Sequence, residues 1–114
     1  MIDFNKKYRL GIYEKAMPAT LSWEDRLLYA KAAGFDFVEI SVDETDERRA
    51  RLDWSDEEID VLRNLCVKHG MPLQSMCLSA HRKFPFGSMD DTLRQEAFSI
   101  MEKAITLALS LIHI

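Results

Sequence analysis

Apolar positions along this chain switch between a two-residue and a helical period, and the switches divide it into strand–helix units. Tyr8 to Tyr13 reads as a short first strand with Gly11 inside it, and glycine there marks close approach by a neighbouring backbone or a ligand. A loop from Glu14 to Leu21, containing Pro18, leads to Ser22, a good N-cap, with Asp25 three residues on as a shorter relative of the capping-box acid. Trp23, Leu27, Leu28 and Ala30 supply the apolar stripe of the first helix, which Gly34 ends in a left-handed cap. The stretch from Gly34 to Ser41 then reads as a buried strand. Period two puts Phe35, Phe37, Glu39 and Ser41 on one face, and Asp36, Val38, Ile40 and Val42 on the other. Large apolar groups on both faces suit a strand covered on both sides in a parallel sheet. Glu39 is the exception, a carboxylate near the C-terminal end of its strand. Active sites open at that end in α/β barrels and in open parallel sheets.

A mixed-sign run from Asp43 to Trp54 follows; such a run is by itself a solvated loop or a helical turn. Ser55 with Glu58 is a full capping-box pattern, and Ile59, Leu62 and Cys66, flanked by Leu65, form the buried stripe of a second helix. His69 and Gly70 close it, His69 favouring the negative end of the helix dipole rather than catalysis. After Pro72, the third strand is Leu73 to Ser79, with Ser75, Cys77 and Ser79 on one face and Gln74, Met76 and Leu78 on the other. The small polar face suits a crowded barrel interior, and the larger apolar one suits contact with helices. A loop from Ala80 to Ser88 precedes the third and longest helix, whose stripe is Leu93, Ala97, Ile100, Met101, Ala104, Ile105 and Ala108. No glycine stops this helix. Residues 109–114 read as a doubtful tail, and Leu111 to Ile114 as a candidate start of a fourth strand.

At 114 residues there is room for one domain, and 47% apolar with 30% charged residues is an ordinary globular composition. A net charge of −4 gives no basic footprint for nucleic acid. The segment Met1 to Lys7 lacks the apolar core of a signal peptide, and no apolar run is long enough to span a bilayer. Cys66 and Cys77 are not ligand-spaced and read as buried reduced thiols, which suit a cytoplasmic enzyme. Three strand–helix units make either a small open α/β domain or the N-terminal part of a barrel, which needs about 250 residues when closed. The missing helix stop and the apolar tail favour the barrel part.

Four ordered blocks carry a resemblance. Leu10-Gly11-Ile12-Tyr13-Glu14-Lys15-Ala16, Gly34-Phe35-Asp36-Phe37-Val38-Glu39, Ser41 to Arg48 with Arg51-Leu52-Asp53-Trp54, and Ser75 to Arg82 are similar to the L-ribulose-5-phosphate 3-epimerase family. These enzymes, also called L-xylulose-5-phosphate 3-epimerases, act in L-ascorbate and related pentose breakdown. The similarity runs from about Leu10 to Ala108. Gly-x-Asp-x-Val-Glu alone would mark only the wider sugar isomerase-like barrel group, which includes hydroxypyruvate isomerases and endonuclease-IV-like proteins.

The resemblance implies an α/β fold, the N-terminal part (about three βα units) of a (β/α)8 TIM barrel, with residues 1–114 as one incomplete portion. It implies inversion of C3 of a ketopentose phosphate through an enediolate, two glutamates as general acid and base, and a divalent metal as Lewis acid. Those glutamates, and the metal's aspartate and histidine, belong to later strands of the family, beyond Ile114. No catalytic or metal residue is therefore assigned, and the chain alone is expected to be inactive. The substrate-facing candidates are Tyr13, Glu14, Glu39, His81 and Arg82. An internal ion pair is the alternative for Glu39, and an exposed loop pair the alternative for His81 and Arg82. Arg48, Arg49 and Arg51 are within reach of a phosphate but are expected to pair with nearby acids. Trp23 and Trp54 are expected to pack, and His113 carries no role. The expected partner is a small sugar phosphate, without nucleic acid or membrane, and with self-association or a homo-oligomer through exposed barrel edges. The competing readings are another barrel isomerase, of the hydroxypyruvate isomerase kind, and a small non-catalytic α/β module.

Overall fold

The computed structural model describes residues 7–112; the segment behind the leader reading up to Lys6, together with His113 and Ile114, lies outside the described residues. Three parallel strands, β1 (Gly11–Tyr13), β2 (Phe37–Val42) and β3 (Leu73–Leu78), form one sheet in the order β1-β2-β3. Between and after them run α1 (Trp23–Ala32), α2 (Asp46–Arg49), α3 (Asp56–His69) and α4 (Asp91–Leu111). The unit is strand, helix, parallel strand, repeated, as the periodicity predicts.

Local chemistry explains where the helices begin and end. Ser22 Oγ accepts from the Asp25 amide at 3.1 Å, and Ser55 and Glu58 form a reciprocal capping box with bonds of 3.2 and 2.8 Å. At the other end of α3, Gly70 has φ +59°, a conformation that costs a residue with a Cβ about 1 kcal/mol or more. Gly34, at φ +90°, plays the same part after α1.

Val38, Ile40 and Val42 are fully buried on one face of β2, against Leu27, Ala30, Ile59, Leu62, Leu107 and Leu111 of the helices. Trp23 and Trp54 pack on the margin of this core. The opposite face of β2 starts with Phe37 and Glu39, which are only half-buried. Coverage on both sides, as the apolar pattern predicts, is thus met on the helix side alone among the described residues. A smaller cluster of Ala80, Phe84 and Ile100, with Leu52, Leu78 and Leu93, pins the loop after β3 to α4.

Three details differ from the sequence reading, and a fourth decides between its alternatives. β1 is only three residues long; before it, Leu10 is held by Asp36, whose Oδ2 accepts the Leu10 amide at 2.7 Å. Of the two readings of the run after Asp43, the helical turn is the one formed, with Thr45 as N-cap of α2 and a 3-10 turn over Ala50–Asp53. Gln74 is exposed, because a bulge shifts the β2–β3 register: Val38 lies opposite Leu73, but Glu39 lies opposite Ser75. Finally, Leu111 is the last residue of α4, so the candidate fourth strand does not begin there.

Candidate active-site face

Two polar arrangements adjoin on the sheet, one in mid-strand and one at the rim past the strand ends. Glu39 is the third of six residues in β2 and Ser75 the third of six in β3, so Glu39 sits mid-strand rather than near the C-terminal end expected from the sequence. The first is a row across the sheet: Tyr13, Glu39 and Ser75 are register partners on β1, β2 and β3. Ser75 donates its hydroxyl to Glu39 Oε2 at 2.6 Å, and Tyr13 donates to Ser41 Oγ at 3.0 Å. Glu39 makes no ion pair among the described residues. Burial raises the Tyr13 hydroxyl above its usual range; the Ser41 bond offsets part of this and the nearby Cys77 adds to it. Tyr13 therefore stays a neutral phenol through the physiological range. Gly11, one step back on β1, has no room for a Cβ because the Phe37 ring lies over it. The close approach expected at this glycine is made by a side chain.

The second arrangement lies at the rim. Glu14 is in a single 3-10 turn directly after β1 and is 1% exposed. Its Oε1 accepts the Ser41 amide at 2.5 Å and a bond from Arg51 Nη1, while Oε2 accepts from Arg51 Nη2 at 3.1 Å. Arg51 is itself 3% exposed and also donates to the Ser41 carbonyl at 2.8 Å. Its guanidinium lies 5.1 Å from the Trp23 ring centroid and 5.8 Å from that of Trp54. The peptide of Ser41 is thus gripped from both sides, its N–H by Glu14 and its C=O by Arg51. Beside this pair, Asp43 accepts from Thr45 (amide at 2.9 Å, hydroxyl at 2.5 Å) and pairs with Lys15 Nζ at 2.5 Å. Arg48 stands 3.7 Å from Asp43 and 3.9 Å from Glu14, and Arg49 pairs with Glu96 of α4. The three arginines of the run pair with acids, as expected.

Burial by itself would raise the Asp43 carboxyl, but Lys15 and the two Thr45 donors outweigh it and lower the value to about 2. The same contact raises Lys15. A folded-state value below the unfolded 3.8 means the stabilisation is present above about pH 4 and is lost as pH falls toward 2. The gap is worth about 2 kcal/mol at most. Urea midpoints of the parent chain and of Asp43→Asn are expected to differ most above about pH 4 and to converge near pH 2. A difference that stays constant with pH would show that Asp43 is not held ionised by these partners.

His81 and Arg82 lie in the 3-10 turn Ala80–Arg82 after β3. His81 Nε2 donates to the Ala97 carbonyl of α4 at 2.9 Å, and its ring stacks on Phe86 with centroids 4.4 Å apart. Arg82 is exposed. The structure therefore brings Tyr13 and Glu39 together, places Glu14 in the turn just past Tyr13, and sets His81 and Arg82 in the turn after β3. His69 lies away from all of these, at the end of α3, 3.0 Å from Glu24 of α1. Among the described residues, no three His, Cys, Asp or Glu side chains converge to hold a metal ion.

The family model described as the xylose isomerase-like TIM barrel matches residues 27–111. The chain belongs to that family. Its three βα units form part of the barrel. A D-psicose 3-epimerase crystal structure, solved in the presence of D-fructose, shares the fold with a TM-score of 0.71 and 16% identity over 90% of this chain and 34% of its own. Among curated proteins, a putative L-ribulose-5-phosphate 3-epimerase SgbU of Haemophilus influenzae is 51% identical over 106 residues, 93% of this chain and 37% of that protein. A putative SgbU of Escherichia coli is 56% identical over 103 residues, covering 90% and 36%. L-ribulose-5-phosphate 3-epimerase UlaE of Escherichia coli is 58% identical over 104 residues, covering 91% and 37%. The chain spans little more than a third of the length of these relatives.

The sequence reading did not single out Ser41, Asp43 or Ser75, and it did not pair Glu14 with Arg51. Asp43 had a legible signal, since Asp-x-Thr ahead of a charged run is a helix-entry pattern in which the aspartate and threonine bond locally. The Glu14–Arg51 pair had none, because 37 positions separate its members.

Proposed function

We propose that this chain supplies the first three βα units of a barrel enzyme that epimerises C3 of a ketopentose phosphate, interconverting L-xylulose 5-phosphate and L-ribulose 5-phosphate. Identity of 51–58% over nine-tenths of the chain to proteins named L-ribulose-5-phosphate 3-epimerase carries the reading. C3 lies next to the C2 carbonyl, so its proton can be removed to leave an enediolate. Inversion then requires a proton to return on the opposite face. Tyr13 and Glu39 supply hydroxyl-binding groups on the substrate side, with His81 and Arg82 at the loop beyond. Glu14 contributes by holding the end of β2 rather than by direct contact.

The two proton-transfer glutamates are proposed to come from later strands of the barrel, as the family resemblance implies. No metal-ligand cluster forms among the described residues, and the divalent metal implied by the family resemblance would be held by residues of later strands. The chain by itself is therefore proposed to be inactive. Its exposed strand edges favour self-association, and its free thiols, Cys66 and Cys77, both half-buried, suit the cytoplasm. No helix among the described residues is long and apolar enough to cross a membrane. A role in L-ascorbate breakdown follows if the substrate is as proposed.

The test is turnover of L-ribulose 5-phosphate, against hydroxypyruvate, by the 114-residue chain and by a chimera in which it replaces the matched third of Escherichia coli UlaE. The chimera is expected to epimerise the pentulose phosphate and leave hydroxypyruvate untouched, and the isolated chain to do neither. Turnover of hydroxypyruvate alone would sink the reading, and so would epimerisation by the isolated chain.

A further inference from the structure

The bulge in β3 has a chemical consequence. Leu73 faces the helices opposite Val38, so regular alternation would place Gln74 opposite Glu39 and turn Ser75 toward the core. The extra residue, Gln74, is instead left exposed, and the parity of the strand flips. Met76 and Leu78 then pack on the core, while Ser75 arrives opposite Glu39 and donates to its Oε2 at 2.6 Å. Bulges serve this purpose beside active sites, re-aiming one side chain while the remaining strand stays paired. No other hydrogen bond or ion pair holds the Glu39 carboxylate among the described residues. A single hydroxyl therefore fixes the one carboxylate in the row across β1, β2 and β3.

We infer that Ser75 is a positioning residue: by holding Oε2 of Glu39 it leaves Oε1 set to accept a hydrogen bond from a hydroxyl of the bound pentulose phosphate. The inference rests on the substrate class proposed above. An acceptor that must be turned into place as the ligand binds loses rotamer entropy at that moment; one already held does not. The bond formed is charge-assisted and counts fully in affinity. Serine suits the task because its hydroxyl reaches a neighbouring strand without filling the space a sugar needs. Threonine would keep the hydroxyl.

In the chimera with UlaE, Ser75→Ala is expected to raise KM for L-ribulose 5-phosphate about tenfold, with kcat within about threefold, the pattern of lost uniform binding. Ser75→Thr is expected to restore KM. Unchanged KM in Ser75→Ala, or a loss in kcat alone, would overturn the assignment. If the parent chimera turns over no pentulose phosphate, the epimerase reading fails separately. The inference is then decided on the carboxyl carbon resonance of 13C-labelled Glu39 in the 114-residue chain titrated with L-ribulose 5-phosphate. A ligand-induced shift in the parent and in Ser75→Thr, but not in Ser75→Ala, supports it. No shift in the parent, or an equal one in Ser75→Ala, refutes it.

Discussion

Arg51→Ala is expected to destabilise the chain by about 3–5 kcal/mol, because it strands the Glu14 carboxylate in the interior without its principal partner. Glu14 is 1% exposed, and two of the bonds to its oxygens come from Arg51. After the substitution only the Ser41 amide remains close, with Arg48 at 3.9 Å. The Ser41 carbonyl loses its Arg51 donor as well, and the space between Trp23 and Trp54 loses its planar filler. Arg51→Lys is expected to recover only part of the loss, since one ammonium cannot reproduce the fork that spans both carboxylate oxygens and the carbonyl. The double variant Glu14→Gln with Arg51→Met should be less damaged than Arg51→Ala, because it buries no unpaired charge. Urea midpoints at constant m-value provide the measurement. A loss below about 1 kcal/mol for Arg51→Ala would mean that water reaches Glu14 and the pair is effectively a surface one.

The consequence for function runs through Ser41. Its peptide is fixed by Glu14 and Arg51, and its hydroxyl accepts the Tyr13 phenol. The rim therefore fixes the stretch of β2 that holds the Tyr13 hydroxyl. The carboxylate directly after the first strand, a pocket candidate in the sequence, is buried against Arg51 and the Ser41 amide.

What could be read from sequence was what depends on near neighbours. Ser22, Ser55 with Glu58, Gly34 and Gly70 act within one helical turn, and each marks its boundary as predicted. The alternation in β2 put Val38, Ile40 and Val42 together, and all three are fully buried. The resemblance supplied the barrel, and the match over residues 27–111 agrees with it. What stayed hidden depends on pairing between distant segments. Alternation within β3 did separate Ser75 and Cys77 from Met76 and Leu78, yet it put Gln74, which is exposed, with Met76 and Leu78. The bulge at Gln74 is set by the partner strand and leaves no mark in β3 alone. Arg51 looked like one arginine in a charged run, and its burial depends on a carboxylate brought across from the end of β1.

Helix α4 shows the same limit, and Leu107→Ala is expected to cost about 2–5 kcal/mol where Ile105→Ala costs almost nothing. The stripe read from sequence included Ile105 and omitted Leu107. In the structure Ile105 is 55% exposed and Leu107 is 3% exposed. The buried series is Ala97, Ile100, Ala104, Leu107 and Leu111, alternating steps of three and four, the narrow seam by which one helix meets packed neighbours. The sequence stripe turned toward the flank at Ile105 because isoleucine, alanine and leucine near there are equally apolar, so composition could not choose between adjacent faces. Leu107 meets the same core as Val38, Ile40 and Leu62, and its truncation leaves a cavity that a helix anchored at Leu111 and Ile100 cannot readily close. Ile105→Ala removes little buried area and gains a few tenths of a kcal/mol in helix propensity. Urea unfolding of the two single variants separates the registers: a larger loss at Ile105 than at Leu107 would mean that α4 sits on the sheet rotated by about 100° per residue of error.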